Sequence, residues 1–555
     1  MVFEILDKDL AGRIGKLRTR SGVIETPALF PVVNPVKQVV SLKEIEEAGF
    51  NQVITNAYLL KRHYGDLIKD INIHKFLNWN KPIMTDSGAY QLLMYGKVDV
   101  SSDEILKYEV EIGTDIGVIL DIPTQWGRPR EAIFLEVEET LRRARLALLR
   151  LKEWDPEHRM LIVGPIQGGD KLDILSYAAD RMSELDFDIY AIGSPTTLLE
   201  DYDFSTIIRM ITTVKLRVPP GKPIHLFGAG HPLILPFAVA MGIDLFDSAS
   251  YVLYARDDRI ILRDRTVRLN ELKVDRIPCN CPVCRRYSVK ELMSMGRSER
   301  EKLLAVHNLY MLWEELQEIK ARIKEGTLWE YLEEKAGGDA RVRSALLALR
   351  RGLRGLLNLM PNESGRVRAL HIVSFESLHR PEIIRHMEKL LGNYEPPKGC
   401  AVLILPGEYL DRPYIRDPLI SWLLNQLSSS GLLSKVHVVI NNPVLGPIPY
   451  EISEVYPLSQ HEYPEPVPSY LLSFSRYLLH EYLTSLIQRG FTDIIIITKS
   501  EYEDDMRRLL VKLNPKGSLI LGVSSRDELF TSISWAINII SSFQCIHGEL
   551  RNNYI

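Results

Sequence analysis

Residues 161–195 read LIVGPIQGGDKLDILSYAADRMSELDFDIYAIGSP. An apolar run stops at Gln167-Gly168-Gly169, a helical stretch follows, and a second apolar run, IYAI, stops at Gly193. This is a strand–helix–strand unit with a glycine-bearing turn at each strand exit. The pattern recurs on both sides. NQVITNA (51–57), KPIMTDSG (81–88) and IGVILDIP (116–123) precede it, and PIHLFGAG (223–230) and GIDLFDSAS (242–250) follow. Helical stretches such as EAIFLEVEETLRRARLALLRLKEW (131–154) lie between them. About eight β–α alternations over about 250 residues predict an α/β fold, a (β/α)8 TIM barrel.

The chain has 555 residues, 46% hydrophobic and 25% charged, an ordinary globular composition. With 68 Lys+Arg and 72 Asp+Glu, the formal net charge is −4. That excludes a strongly basic coat protein, but not a nucleic-acid enzyme with a local basic face. No apolar run reaches the roughly 18 residues that span a bilayer, and the first residues carry no signal-peptide core. Five cysteines are too few for a disulfide scaffold. The expectation is a multidomain cytoplasmic protein with no membrane partner.

In such barrels chemistry gathers where the strands end. The polar residues there are Asp86 and Ser87 after KPIMT, Asp121 after IGVIL, Gln167 and Gly168, Gly193, His225, Gly228 and Asp247. Any single aspartate could serve as a helix cap or turn residue. Together, three carboxylates and an amide on one rim suit glycosidic chemistry, with one carboxylate as nucleophile and another as acid/base. Metal-assisted hydrolysis ranks lower, because no His-x-His pair is present to hold a catalytic metal. Aspartate plus glutamine can also read the donor–acceptor edge of a purine-like base, and the glycines let a flat base approach the backbone.

Three of the five cysteines, Cys279, Cys281 and Cys284, fall within PCNCPVC. Clustered thiolates repel unless a cation neutralises them, so this is a metal knuckle. His307, in a segment with helical apolar spacing, is the candidate fourth ligand of a single structural Cys3His zinc (Zn2+) site. The alternative makes His307 a core histidine, with water or a carboxylate completing the site. Cys400 and Cys545 read as buried small apolar residues.

TDSGAYQ (85–91), PIQGG (165–169), HLFGAGHP (225–232), FDSASY (246–251) and CNCPVC followed by His307 resemble the tRNA-guanine transglycosylase family in its archaeal form. The resemblance covers roughly residues 1–360, with Ala89 and Tyr90 replacing the usual second Gly and Phe. It implies exchange of guanine at position 15 of tRNA for 7-cyano-7-deazaguanine, a step towards archaeosine, through a covalent enzyme–tRNA intermediate. Asp247 matches the carboxylate that attacks ribose C1′. Asp86 matches the acid/base, although that position is also labelled nucleophile in the family. Asp121 and Gln167 match the base-reading pair, with Ser87, Gly168 and Gly193 beside them. Family members are commonly homodimers.

The domain expectation is a barrel over 1–360 with a zinc subdomain at about 270–330, a linker or helical connection over 361–397, and a smaller α/β domain over 398–555. Residues 341–354, RVRSALLALRRGLR, carry five arginines in fourteen positions. At helical spacing they form either a phosphate-facing stripe or an ordinary solvated helix face. The last third alternates GCAVLILPG, KVHVVINNP, DIIIITKS and SLILGVSS with helical stretches, as in a small doubly wound domain. It is similar to the domain shared by archaeal transglycosylases and archaeosine synthases. The synthases carry a reactive lysine before Pro-Tyr; here Asp411-Arg412 precede Pro413-Tyr414, which argues against a synthase-like amidotransferase. The intact carboxylates argue against a non-catalytic tRNA-binding paralogue. No terminal RNA-binding PUA domain is expected, so tRNA is held by the barrel, zinc region and Arg-rich helix, or with help from a separate PUA-domain protein.

Overall fold

The structure is a computed structural model that describes residues 2–89, 100–193, 195–361 and 368–542. It falls into two compact units, residues 1–366 and 367–555. Among the described residues, no helix is long and apolar enough to cross a membrane.

The first unit opens with an antiparallel meander, β1 (Phe3–Asp9), β2 (Gly12–Thr19) and β3 (Gly22–Thr26). Eight parallel strands follow: β4 (Ala28–Pro31), β5 (Val53–Asn56), β6 (Ile83–Asp86), β7 (Ile116–Val118), β8 (Leu161–Ile166), β9 (Ile189–Ile192), β10 (Ile224–Leu226) and β11 (Leu245–Ser248). From β5 to β11 each pairs with its sequence neighbour, and β11 pairs with β4. The ring closes through a parallel bridge between Val32 and Ile54, where the Val33 amide donates to the Ile54 carbonyl at 2.7 Å. The apolar runs are continuous because the strands are covered on both faces, by helices outside and side chains inside.

The lumen is packed with Phe30, Ile54, Met84, Val118, Val163 and Ala191. Phe3, Leu17 and Ile24 of the meander join that cluster, so the meander caps the end where the strands begin. Arg13 of β2 anchors it there, bonding Asp244 at 2.6 and 2.7 Å just ahead of β11. Both partners are buried, so removing either would strand a charge. The meander and β4 are absent from the strands expected from the sequence. With that end plugged, the mouth at the strand C-termini is the open end among the described residues.

After the barrel come a hairpin, β12 (Arg259–Ile261) and β13 (Thr266–Arg268), two short helices, and a helix over Arg297–Glu325. A helix over Ala340–Leu356 ends the unit. It buries Val342, Leu346, Leu349 and Leu353 and turns its arginines outward.

The second unit is a five-stranded sheet in the order β17 (Gly446–Pro449), β16 (Val436–Asn442), β15 (Ala401–Pro406), β19 (Asp493–Lys499), β20 (Gly517–Val523). Only β17 is antiparallel. The four expected runs are its parallel strands. Part of the 361–397 segment belongs to this unit rather than joining two. Leu370–His371 forms β14, which pairs with β18 (His461–Glu462), and Leu378 and Ile383 enter its core. A two-residue strand whose partner lies about 90 residues later leaves no period in the sequence. Cys400 is disulfide-bonded rather than a lone apolar residue. Cys545 and the tail from 543 lie outside the described residues.

Candidate active site

The barrel delivers the expected residues to one mouth. Asp86 ends β6, Asp121 stands three residues beyond β7, Gln167 follows β8, Gly193 follows β9, and Asp247 lies within β11.

Asp247 is held on one side. The His225 ring, at the centre of β10, donates from Nε2 to its Oδ1 at 2.9 Å, and the Gly228 amide donates to the same oxygen at 2.9 Å. Asp247 Oδ2 accepts no hydrogen bond among the described residues and is free for a ligand. His225 is fully buried between Phe30 and Phe227, so it can turn little. Gly228 has φ +67°, the left-handed region that spares glycine a Cβ penalty and here aims its amide at Asp247.

Asp86 carries a strongly shifted carboxyl. Burial pushes its carboxyl up to about 7, and Asp121 and Asp247 add to the rise. Two donors oppose it: the Gly88 amide at 3.4 Å from Oδ1 and Asn56 Nδ2 at 2.8 Å from Oδ2. Asn56 ends β5 directly opposite Asp86, and its Oδ1 also caps the next helix by accepting from the Leu59 amide. Beneath them Glu109 is fully buried, raised well above the carboxylate range by desolvation, and accepts from Thr85 Oγ1 at 2.8 Å. Asn56 and Glu109 were not singled out in the sequence. The pairing of Asn56 with Asp86 exists only once β5 and β6 are in register.

Asp121 and Gln167 form the second half. Gln167 Oε1 accepts from the Thr124 amide at 3.1 Å, which turns Nε2 towards Asp121, and Nε2 donates to Asp121 Oδ2. Burial pushes Asp121 up to about 6. Gly193 lies flat against this pair: a Cβ there would stand 2.2 Å from Gln167 Nε2. The Gly193 amide is spent on the Ile166 carbonyl at 3.0 Å, so only its carbonyl is available to a ligand. Gly168, at φ +141°, would place a Cβ 2.7 Å from the Leu175 backbone. Ser87 is buried, its hydroxyl donating to the Ile119 carbonyl at 3.2 Å. Tyr90 and Gln91 lie outside the described residues.

The four candidate metal ligands come together as a separate group. Their donor atoms all lie within 4.8 Å of one another, and Cys281, Cys284 and His307 are buried. His307 Nε2 donates to the Ile261 carbonyl at 2.9 Å, which leaves the Nδ1 lone pair facing Cys284 Sγ at 3.2 Å and Cys281 Sγ at 3.5 Å. An imidazole fixed through its far nitrogen by a carbonyl, with the near one aimed at clustered thiols, is oriented as a metal ligand is. The group can bind a structural metal.

Residues 8–339 match the family model described as queuine tRNA-ribosyltransferase. The chain is 50% identical to the tRNA-guanine(15) transglycosylase of Pyrobaculum aerophilum over 462 residues, 83% of this chain and 90% of that one. It is 40% identical to that of Sulfolobus acidocaldarius over 497 residues, 89% and 95% of the two chains. Against that of Saccharolobus solfataricus it is 43% identical over 470 residues, 84% and 91%.

Proposed function

The chain belongs to the queuine tRNA-ribosyltransferase family, and on that premise we propose that it exchanges guanine at position 15 of tRNA for 7-cyano-7-deazaguanine. One observation carries the assignment of roles: Asp247 has one oxygen held by two donors and the other free, while Asp86 faces the same mouth with a carboxyl raised to about 7.

Asp247 Oδ2 attacks ribose C1′ as the C1′–N9 bond breaks, and a covalent glycosyl–enzyme ester forms. Asp86, protonated near neutral pH, gives its proton to the departing guanine and becomes a carboxylate. The incoming base, read by Asp121, Gln167 and the Gly193 carbonyl, loses its N9 proton to Asp86. Its N9 then attacks C1′, the ester bond breaks, and Asp247 is regenerated. Acid and base are one residue in two states, which suits a group whose pKa lies near the working pH. The plugged lumen leaves water a single way in, and a bound base covers it, so exchange wins over hydrolysis. The target nucleotide must leave its stack to reach the mouth.

Zinc suits the Cys3His group: three thiolates and one imidazole would hold it and leave no position for substrate, so it would be structural and take no part in the exchange. A homodimer and a cytoplasmic location belong to the same reading.

The test uses tRNA labelled at guanine 15. The wild type should release label only when the deaza base or free guanine is present, without abasic tRNA. Asp247→Asn should release none. Continued release by that variant, or accumulation of abasic tRNA with the wild type, would overturn the assignment.

A further inference from the structure

One cavity of the first unit lies apart from the barrel mouth. It is an open groove of about 820 Å³ on the outer wall, between the helix over Leu172–Ser183 and the Arg-rich helix over Ala340–Leu356. Its floor is the helix over Phe204–Lys215. The Leu172–Ser183 helix follows β8, and the floor helix comes after β9 and a short intervening helix. Both therefore begin on the rim where the strands end, and the groove runs from that rim down the wall. The floor helix has 12 residues, so at about 1.5 Å per residue the run is about 18 Å.

The charge in the groove is one-sided. The lining carboxylate Asp173 is already paired with Arg130, Asp180 is paired with Arg217, and Asp203 caps the floor helix by accepting from the Thr206 amide. Arg209 is exposed; it bonds the Thr206 hydroxyl, makes no ion pair among the described residues, and has Asp203 only as a nearby charge. Arg351 is exposed and has neither a hydrogen-bond nor an ion-pair partner there. Arg354, one turn further along the same helix, is also exposed and has no partner among the described residues. Guanidinium groups without an ion-pair partner among the described residues, from two helices that are distant in sequence, thus face one open channel. An acidic protein segment would meet the same charge. However, the channel begins at the rim where the reacting nucleotide enters, and the rest of that polyanionic chain has to leave the rim along the surface.

We infer that this groove carries the sugar–phosphate backbone of the tRNA substrate away from the barrel mouth, with Arg209 and Arg351 contacting phosphates. This rests on the proposed base exchange, because it takes tRNA as the substrate. Each phosphate contact releases condensed counterions, so each adds about one unit to the slope of log K against log salt.

The experiment compares wild type with R209A/R351A, and with R209K/R351K, which keeps the charge. Steady-state exchange of guanine into tRNA is measured from about 50 to 200 mM salt. Both arginines are exposed, and an unchanged melting temperature shows that the fold is intact. The expected result is a KM for tRNA raised tenfold or more in the alanine variant. Its salt slope should be smaller by about two, with kcat and the KM for the free base unchanged and most of the effect rescued by lysine. An unchanged tRNA KM and slope in R209A/R351A overturns the groove assignment. A raised KM with an unchanged slope also overturns it, since the contact is then not with phosphate. A wild type that exchanges no base would instead defeat the proposed function, which keeps the two failures apart.

Discussion

Asn56→Ser tests the proton role of Asp86 without touching a reacting atom. Asn56 Nδ2 donates to Asp86 Oδ2 at 2.8 Å and so favours the charged carboxylate, while Asn56 Oδ1 caps a helix. Serine keeps a capping oxygen but cannot reach across to Asp86 with a second donor. A hydrogen bond to a charged group contributes about 1.5–3 kcal/mol, and one pKa unit corresponds to about 1.4 kcal/mol. Losing this bond should lift Asp86 by about one to two units from its value of about 7. The first half-reaction needs Asp86 protonated, so the wild-type rate falls above pH 7. In the variant the fall should begin near pH 8 or above. With a shift of one unit, the fraction protonated at pH 8 rises from about one-tenth to about one-half, a roughly fivefold gain relative to each enzyme's own plateau. The assay is single-turnover release of labelled guanine from tRNA with enzyme in excess, between pH 5.5 and 9.5. A descending limb that stays in place, or moves down, would refute the assignment of that limb to Asp86.

Three further outcomes follow from the same geometry. Gly193→Ala brings a methyl group 2.2 Å from Gln167 Nε2 and must push the amide off Asp121; the KM for the free base should rise about tenfold for one lost hydrogen bond, with melting unchanged. Cys281→Ala should lower bound zinc below one per chain by metal analysis and drop the melting temperature by several degrees; retained metal and melting would contradict a structural site. In the second unit, burial holds His386 and His437 down to about 4 and His461 to about 3. The unfolded chain takes up protons from about pH 6.5 downward while these folded histidines do not, so stability is full above 6.5 and is lost as pH falls towards 4. Each histidine costs about 2 kcal/mol at pH 5, and calorimetry at pH 5 and 7 should show the second unit's transition moving down.

Much of the barrel was legible because each β–α repeat is local. An apolar run stops at a glycine or a polar residue, and a helix follows within a few residues, so seven of the eight strands and the aspartates at their ends stand out. The knuckle was legible for the same reason, with three cysteines inside six residues. The first elements were not. β4 is only four residues long and its partner is β11, some 215 residues later, while the meander packs on the floor of a barrel that exists only once closed. His225 was noticed as a polar residue at a strand end. Its donation to Asp247 needs β10 and β11 in register, just as Asn56 needs β5 against β6.

Composition and motif spacing therefore determine the kind of chemistry here: paired carboxylates, a base-reading amide and a thiolate cluster. They are local properties of the chain, written in residue type and separation. Which carboxylate oxygen is free, which carboxyl holds its proton near neutral pH, and which arginines share a channel are decided by tertiary structure alone. Hydrogen bonds across strands, desolvation and the convergence of charges all depend on distances between residues that the chain keeps far apart.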